Sequence, residues 1–292
     1  MAFKSGFISI IGRPNVGKST LLNAFLGEKI SIVSEKPQTT RNVIRGVKNL
    51  PESQIVFIDT PGIHKGKGLL NEFMVKEALT AIHDVDGILY LIEADKPRSD
   101  DDAFIIKGLK TVKCPVILGI NKVDKVDKRN ILPIIEEYSK MFPFKEIIPI
   151  SALNGDGLDL LSEKLSGLLP EGPKYFPDDI VTDQPERFIA AEIVREKIFR
   201  FTKEEVPYSV AVVIDKFEEK KDLISISATI NVERDSQKGI IIGKGGSMLK
   251  RIGTAARQDL EKLLGSRVFL ELFVRVQKEW TKKPGALKEF GY

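Results

Sequence analysis

Short apolar runs alternate with amphipathic stretches over the first 173 residues of the chain. The runs that we interpret as strands are, in order, Phe7–Ile11, Val43–Val47, Gln54–Ile58, Gly87–Ile92, Val116–Ile120 and Ile147–Ile150. Several are continuously apolar, as expected of strands that helices cover on both faces. Between them apolar residues recur at helical spacing, and Ser99 with Asp100 indicates the start of one helix. The pattern predicts an α/β fold, a doubly wound and mostly parallel sheet that binds its ligand at the carboxyl ends of the strands.

A different pattern follows a proline-rich segment at residues 170–185, which we interpret as an ordered or semi-rigid linker. The elements beyond it are predicted in the order α-β-β-α-α-β, with clean apolar–polar alternation in Leu223–Glu233. Two of these helices flank Gly243–Gly246. We therefore expect two domains, the doubly wound domain at residues 1–175 and a smaller α+β domain at 176–292 that ends in a basic tail.

Composition limits the classes of protein that the chain can belong to. Its 292 residues are 42% apolar and 29% charged, as in a folded globular protein. No apolar run of the sequence reaches the roughly 18 residues of a membrane-spanning helix. Cys114 is the only cysteine, which excludes a disulfide framework and a cysteine metal site. We therefore predict a cytoplasmic protein and expect a monomer.

Charge is distributed unevenly along the second half of the chain. Residues 177–237 hold 9 basic and 14 acidic side chains, a net charge of −5. Residues 238–292 hold 12 basic and 5 acidic side chains, a net charge of +7. A basic segment behind an acidic one favours a polyanion-binding surface near the C-terminus, although solvated basic faces have the same composition.

The residues Gly12–Ser19 have the sequence Gly-Arg-Pro-Asn-Val-Gly-Lys-Ser, which matches the P-loop pattern between a predicted strand and a predicted helix. Backbone N–H groups of such a loop turn toward phosphate, and the N-terminus of the helix adds a positive dipole end. Lys18 is expected to reach the β- and γ-phosphates and Ser19 to bind Mg²⁺. The nucleotide-binding residues predicted here are Gly12, Asn15, Val16, Gly17, Lys18, Ser19 and Thr20.

A second loop with nucleotide chemistry, Asp59-Thr60-Pro61-Gly62, ends the third predicted strand. An aspartate at this point holds Mg²⁺ through water, and the N–H of Gly62 meets a γ-phosphate. An isolated D-x-x-G motif is weak evidence for a nucleotide site. It supports one here because it follows the P-loop along the chain.

The base is determined by Asn121-Lys122-Val123-Asp124, at the end of the fifth predicted strand. Guanine presents two donors, N1–H and N2–H₂, which the Asp124 carboxylate can accept as a pair. Adenine offers an acceptor at that edge and would leave the carboxylate unpaired, which costs several powers of ten in affinity. Ser151 and Ala152, after the sixth strand, are expected to place a backbone N–H on guanine O6.

Together these loops resemble those of the translation-factor class of P-loop GTPases. By that resemblance Gln38-Thr39-Thr40-Arg41 is the first switch, in which Thr40 senses Mg²⁺ and the γ-phosphate, with Thr39 as the alternative. An ordinary polar loop is the other interpretation of this segment. The implied cofactor is Mg²⁺, and its predicted ligands are Ser19, Thr40 and Asp59.

One position departs from Ras-like enzymes, in which a glutamine after the D-x-x-G loop orients the attacking water. Here Ile63 follows the loop and cannot hydrogen-bond to water, while His64 is a weak alternative as a base. Asn15 lies where similar GTPases use an asparagine to help hold K⁺ beside the phosphates, a charge that would stabilise the transition state. The residues predicted to support catalysis are Lys18, Thr40, Gly62 and Asn15.

The loop Gly243-Lys244-Gly245-Gly246, placed between two helices in an α-β-β-α-α-β order, resembles that of a type II KH domain. In KH domains the glycines let a nucleic-acid backbone approach closely, and four nucleotides lie along an apolar groove. Residues 278–288 would add stacking on Trp280 and phosphate contacts, unless they form a solvated tail. The predicted RNA-binding residues are Ile241, Ile242, Gly243, Lys244, Gly245, Gly246, Lys250, Arg251, Lys282 and Lys283.

Over essentially its whole length the chain resembles a family of bacterial ribosome-assembly GTPases that carry a KH domain. The matching motifs are Pro14-Asn15, Pro37–Arg41, Asp59–His64, Gly243–Gly246 and the ending Gly291-Tyr292. The resemblance implies binding of GTP and GDP, GTP hydrolysis, binding near the 3′ end of the 16S small-subunit ribosomal RNA, and assistance to assembly of the small ribosomal subunit. It also implies peripheral contact with the inner membrane, which no basic amphipathic helix of the sequence independently requires.

Two other classes of protein share part of this evidence. A small-molecule kinase would share the P-loop but would have no use for Asn121 and Asp124. A nucleotide-gated RNA scaffold with negligible turnover is the second alternative, because Ile63 removes the usual water-positioning group.

Overall fold

Two sheets, of six and three strands, organise the residues that the computed structural model describes, 2–34, 36–203 and 205–292. They belong to two compact units of the chain. The first unit comprises the residues up to Ser31 together with Thr40–Gly66 and Met74–Asp183, and the second comprises Ile32–Thr39, Lys67–Phe73 and Gln184–Tyr292. The domain boundary between residues 175 and 176 stays a prediction, and the described chain passes for the last time from one unit to the other after Asp183.

The six-stranded sheet of the first unit contains the apolar runs of the sequence. Its strands are β1 (Lys4–Gly12), β2 (Ile44–Leu50), β3 (Ser53–Asp59), β4 (Gly87–Glu93), β5 (Val116–Asn121) and β6 (Glu146–Pro149). Their order is β2-β3-β1-β4-β5-β6, and all pairs are parallel apart from β2 with β3. The prediction of a doubly wound, mostly parallel sheet is confirmed. The loops after the parallel strands therefore lie at one edge of the sheet.

Helices pack against this sheet because apolar residues on one side of each helix meet buried strands. They are α1 (Lys18–Leu26), α2 (Leu69–Thr80), α3 (Asp100–Leu109), α4 (Ile131–Ser139) and α5 (Leu158–Ser166), and α2 belongs to this unit from Met74 onward. All seven residues of β4 are buried, as its apolar sequence predicts. Ser99 is the N-cap of α3, and the Asp102 carboxylate accepts a hydrogen bond of 2.8 Å from the Ser99 N–H.

The proline-rich segment is ordered along the edge of the first unit. Val47 N–H donates to the Val181 carbonyl at 2.8 Å, and Gln54 Nε2 donates to the Phe176 carbonyl at 2.8 Å. The first of these bonds joins the segment to the edge strand β2, and the second ties it to the start of β3. The sequence predicts a linker that is either ordered or semi-rigid, and these contacts support an ordered one.

The second unit is an α+β fold around a three-stranded sheet. Its elements are α6 (Glu186–Phe201), β7 (Ala211–Lys220), β8 (Leu223–Val232), α7 (Asp235–Ile242), α8 (Ser247–Leu264), β9 (Val268–Val276) and α9 (Pro284–Glu289). β7 is antiparallel and β9 parallel to the central β8, whose apolar residues alternate into the core. The predicted order α-β-β-α-α-β is confirmed, and α9 is a further helix that the sequence pattern did not indicate.

No helix in the described part of the chain is both long enough and apolar enough to cross a membrane.

Candidate nucleotide and RNA sites

The P-loop is the tight turn between β1 and α1. Gly17 has a φ of +99°, and a Cβ atom there would lie 2.3 Å from Nδ2 of Asn121, so only glycine fits. Val16 is fully buried, and its carbonyl accepts a hydrogen bond of 2.8 Å from the same Asn121 amide. Thr20 lies in the first turn of α1. The Asn121 side chain thus joins the P-loop to the loop at Asn121–Asp124, which we call the base loop.

Lys18 is the charged group of this loop, and its side chain is buried. Its Nζ donates to the carbonyls of Gly12 at 3.2 Å and Arg13 at 2.9 Å. Burial lowers the pKa of Lys18 to about 8, although the carboxylates of Asp59 and Glu93 oppose this shift. A phosphate dianion beside the ammonium would restore its full charge, so the site favours an anionic ligand.

Oxygen-bearing side chains from α1, from the end of β3 and from the segment between α1 and β2 converge at the start of α1. Ser19 Oγ lies 2.8 Å from Thr40 Oγ1 and donates to Asp59 Oδ2 at 2.7 Å. Ser31 Oγ donates to the same carboxylate oxygen at 3.0 Å. Thr39 Oγ1 instead donates to the carbonyl of Lys36 at 2.6 Å. Of the two candidate threonines, Thr40 is therefore the one beside Ser19 and Asp59.

These residues fit a small hard cation. Asp59 is fully buried, and among the described residues its Oδ1 has no hydrogen-bond partner. Burial raises the pKa of Asp59, which the neighbouring Lys18 charge and the serine donors partly offset. A buried carboxylate oxygen together with two hydroxyls is a donor set that Mg²⁺ takes in P-loop proteins, with water and phosphate completing the shell.

The base loop is held from two sides. Asn121 Oδ1 accepts a hydrogen bond of 2.9 Å from the Ala152 N–H, which places the loop after β6 against the end of β5. Ser151 Oγ donates to Asp124 Oδ1 at 2.5 Å, and the Asp124 side chain is exposed. The Asp124 carboxylate is thus oriented by Ser151 and open to an incoming base.

Lys122 connects the base loop to the P-loop. Its Nζ donates to the carbonyl of Asn15 at 2.7 Å and forms an ion pair with the buried Glu93 carboxylate. Asn15 is half-buried and has a φ of +66°, a conformation that asparagine adopts more readily than most residues. The backbone of Asn15 is therefore fixed by the base loop.

The loop after β3 packs closely on the P-loop. A Cβ atom on Gly62 would lie 2.6 Å from Cα of Pro14, and the Ile63 N–H donates to the Gly12 carbonyl at 3.1 Å. Ile63 is 1% exposed and belongs to the hydrophobic core of the first unit. His64 Nδ1 lies 3.2 Å from the Gly62 carbonyl. Ile63 therefore supplies no group that could act as a general base.

Two site residues were missed at the sequence level. Glu93 holds Lys122, and Ser31 hydrogen-bonds to Asp59. A signal existed for Glu93, because a carboxylate that ends a continuously apolar strand is placed at the ligand edge of the sheet. Ser31 lies in an irregular segment and had no such signal.

In the second unit, the glycine loop joins α7 to α8 as predicted. Gly243 has a φ of +71° and Gly245 a φ of +58°, and Lys244 is exposed between them. The side chains of Lys250 and Arg251 are also exposed on α8. The guanidinium of Arg251 lies 4.2 Å from the ring centroid of Phe201. The predicted basic residues therefore surround the loop.

Two parts of the predicted RNA surface are corrected by burial. Ile241 is 0% exposed and packs in the core of the second unit, because α7 turns this residue toward the sheet. Its neighbour Ile240 is 46% exposed, and Ile242 is half-buried. Trp280 is also 0% exposed and donates from Nε1 to the Ser209 carbonyl at 2.9 Å. The side chains of Ile241 and Trp280 are therefore not available to contact an RNA base.

The basic stretch at residues 278–288 is folded rather than a free tail. The Trp280 ring stacks on Tyr292 with centroids 5.8 Å apart, and α9 covers it. Lys282 and Lys283 are exposed at the surface, where Lys282 forms an ion pair of 2.7 Å with Glu279. This ion pair reduces the charge that Lys282 offers to a phosphate.

Comparisons with known proteins match both parts of the chain. A family described as "50S ribosome-binding GTPase" matches residues 7–122, and a family described as "KH domain" matches residues 205–281. The GTPase Era of Geotalea uraniireducens is 60% identical over 291 residues, which are 99% of this chain and 98% of that protein.

Two solved structures are similar over 99% of this chain and 99% of their own, each with a TM-score of 0.96 and 46% identity. One is a crystal structure of an Aquifex aeolicus Era variant bound to GDP and AlF4⁻. The other is Era in complex with MgGDPNP and nucleotides 1506–1542 of 16S ribosomal RNA.

The fold and the converging loops define a P-loop GTPase domain, and the second unit adds a KH domain to it on the same chain. The chain is therefore a GTPase with a module of the RNA-binding type. Because relatives about as long as this chain share 60% of its residues, it belongs to the Era family of GTPases.

Proposed function

We propose that this chain is a GTP-driven switch that binds 16S ribosomal RNA near its 3′ end through the KH domain and assists assembly of the small ribosomal subunit. The observation that carries the switch is the convergence of Ser19 at the start of α1, Thr40 before β2 and Asp59 at the end of β3. Support for the RNA comes from the Era complex that contains nucleotides 1506–1542 of 16S ribosomal RNA. That complex favours the small subunit over the large subunit named in the description of the first family.

In this proposal each residue of the nucleotide site has a role that its position in the loops supports. Lys18 meets the β- and γ-phosphates, and the N–H of Gly62 meets the γ-phosphate. Ser19 and Thr40 bind Mg²⁺, and Asp59 holds it through water; the bound ion neutralises charge that develops on the transferring phosphoryl group. Asn121, Lys122 and Ala152 fix the loops around the base. Cytoplasmic localisation and peripheral contact with the inner membrane stay predictions.

Hydrolysis is expected to depend on Asn15 and a monovalent cation, because Ile63 is buried in the core and orients no water. The side-chain oxygen of Asn15 is a hard donor that suits K⁺. We expect K⁺ to raise the turnover rate about tenfold or more over Na⁺, as an added fixed charge beside the phosphates would. Single-turnover hydrolysis in the two salts measures this effect.

The variant for this experiment is Asn15→Gly, since glycine adopts a φ of +66° without strain and removes only the side chain. Asn15→Ala adds backbone strain and serves as the comparison. The rate difference between the salts should disappear in Asn15→Gly while Mg²⁺-dependent GTP binding remains. Equal rates of the wild type in K⁺ and Na⁺ would refute the cation.

The proposed switch requires that GTP changes the affinity for RNA. The compact unit with the KH domain includes residues 32–39 and 67–73, which adjoin Thr40 and follow Gly62 along the chain. Ordering of these loops by the γ-phosphate would therefore reach the RNA-binding unit through its own backbone. We expect RNA affinity to differ about 5–150-fold between protein loaded with GDP and with a non-hydrolysable GTP analogue.

The experiment is a titration of a 16S 3′-end RNA fragment in the two nucleotide states, repeated with Thr40→Ala. The difference should vanish in Thr40→Ala, because this variant lacks the hydroxyl that senses the γ-phosphate. By linkage, RNA must change the affinity for the GTP analogue by the same factor. Identical RNA affinities in both nucleotide states would leave a GTPase with an independent RNA-binding module.

A further inference from the structure

Helix α6 in the second unit carries an unusual row of buried charges. Glu192 is 8% exposed, Arg195 1%, Glu196 5% and Lys197 4%. Buried ions are costly unless each one meets an opposite charge or several hydrogen-bond partners. The partners of these four side chains therefore indicate what the row does.

Part of the row is satisfied within the second unit's helices. Arg195 Nε donates to Glu192 Oε1 at 2.7 Å, and its Nη2 also pairs with the second oxygen of that carboxylate. Lys197 Nζ donates to Glu196 Oε2 at 2.8 Å and forms an ion pair with Asp259 on α8. The bidentate pair of Arg195 with Glu192 fixes the plane of the guanidinium.

The rest of the row holds the switch segment, which we define as residues 32–34 and 36–39 and which belongs to the same compact unit. The N–H of Val33 donates to Glu196 Oε1 at 3.1 Å. Lys36 Nζ donates to the carbonyls of Phe199 and Thr202, at the end of α6. Arg195 Nη2 donates to the carbonyl of Thr39.

The contact between Arg195 and the Thr39 carbonyl connects α6 to the nucleotide site. The carbonyl belongs to the peptide unit whose nitrogen is that of Thr40, and this unit is planar. Holding the oxygen therefore restrains the position of the Thr40 Cα atom, to which the side chain is attached. Thr40 Oγ1 lies 2.8 Å from Ser19 Oγ, in the cluster that fits Mg²⁺.

We propose that Arg195 is a positioning residue for Thr40: oriented by Glu192, its guanidinium holds the Thr39 carbonyl and so sets the Mg²⁺ and γ-phosphate threonine in place. The proposal rests on the role of Thr40 given under the proposed function. Glu192 takes Nε and one N–H of Nη2, which leaves the second N–H of Nη2 for the Thr39 carbonyl. The fork of Arg195 has N–H groups for both partners, whereas the single ammonium of a lysine cannot keep this bidentate geometry and also hold the carbonyl.

The test compares Arg195→Lys with the wild type in two binding measurements, one with GDP and one with a non-hydrolysable GTP analogue, both in Mg²⁺. Lysine keeps the charge opposite Glu192, so we expect the variant to fold. We expect affinity for the GTP analogue to fall about tenfold, the typical effect of losing one hydrogen bond from a charged donor. Affinity for GDP should stay within about twofold, because GDP has no γ-phosphate for Thr40 to sense.

The matched control is Arg187→Lys, on the same helix. Arg187 donates from Nη2 to the Ile214 carbonyl at 2.9 Å and does not touch the switch segment in any described contact. Arg187→Lys should leave the ratio of the affinity for the GTP analogue to the affinity for GDP unchanged. If Arg195→Lys does not yield folded protein, Glu192→Gln replaces it, since this variant keeps the guanidinium but loosens its orientation; an affinity ratio reduced about threefold is then expected.

Thr40→Ala separates failure of the inference from failure of the proposed function. If Thr40→Ala does not lower the affinity ratio, the assigned role of Thr40 is wrong, and the inference falls with it. If Thr40→Ala lowers the ratio and Arg195→Lys does not, only the role of Arg195 is overturned. The double variant should be no worse than Thr40→Ala alone, because both changes act through one hydroxyl. Additive losses would also contradict the proposal.

Discussion

Replacing Asp124 by asparagine is expected to weaken GTP binding by about 10²–10⁴-fold, since two hydrogen bonds to a carboxylate are worth about 1.5–3 kcal/mol each. Asparagine presents an N–H where the guanine donors point, so one hydrogen bond becomes a clash of donors. Xanthine has a carbonyl in place of the guanine N2 amine, and its nucleotide should bind better relative to GTP in this variant. Competition of GTP, XTP and ATP against a fluorescent nucleotide measures the change in base preference.

The structure offers a close control for this substitution. Asp127 is an exposed carboxylate three residues along the same loop, held by Arg129 rather than by Ser151. Asp127→Asn removes the same charge and should leave base preference unchanged. Unchanged GTP affinity in Asp124→Asn, or an equal loss in the control, would remove Asp124 from the base site.

The double variant Lys244→Asp/Gly245→Asp is expected to lower RNA affinity on the order of 10²-fold at moderate salt, because carboxylates replace a cation where phosphates pass. The fold should tolerate the change. A Cβ atom on Gly245 meets nothing within 4 Å, and aspartate is among the residues that adopt a positive φ. GTP hydrolysis measured without RNA should persist, since the P-loop belongs to the other compact unit.

Gly243 is unsuitable for the same experiment, because a Cβ atom there would lie 2.7 Å from Cβ of Met248. The other end of α8 supplies the control instead. Gly265 also has a positive φ of +61° with open space around it, and Lys262 is exposed nearby. Lys262→Asp/Gly265→Asp therefore makes the same change in charge away from the loop and should leave most RNA affinity intact.

Retention of RNA binding in Lys244→Asp/Gly245→Asp would move the RNA site elsewhere on the second unit. Lys282 and Lys283 are the predicted residues that lie outside the glycine loop and α8, and both are exposed. Wild-type affinity should also fall steeply between low and moderate salt, as release of counterions from the RNA requires. A weak dependence on salt would argue against phosphate contacts at any of these lysines.

The sequence by itself determined the order of elements and the chemistry of the nucleotide loops. Continuous apolar runs can lie only between layers of helices, and parallel strands place their following loops at one edge. Gly12–Ser19, Asp59–Gly62 and Asn121–Asp124 therefore had to meet, wherever the helices between them lay. Motifs of this kind are local, because neighbouring residues supply backbone donors and carboxylates at a fixed spacing.

Only the tertiary structure decided which side of an element each residue faces and which distant groups it meets. The sequence leaves Thr39 as an alternative to Thr40, and the structure places Thr40 beside Ser19 while Thr39 hydrogen-bonds to Lys36. Burial of Ile241 and Trp280 depends on how α7 and α9 pack, which a basic or apolar composition does not specify.

The buried charges of α6 are the clearest case in which the sequence does not specify the partners of a residue. In the sequence, Glu192 and Arg195 resemble an ordinary exposed ion pair three residues apart on a helix. Their function in the fold comes from a carbonyl 156 residues away along the chain, that of Thr39. The reason is physical: the partner of a buried charge is fixed by the packing that excludes water around it, and packing is a property of the whole fold.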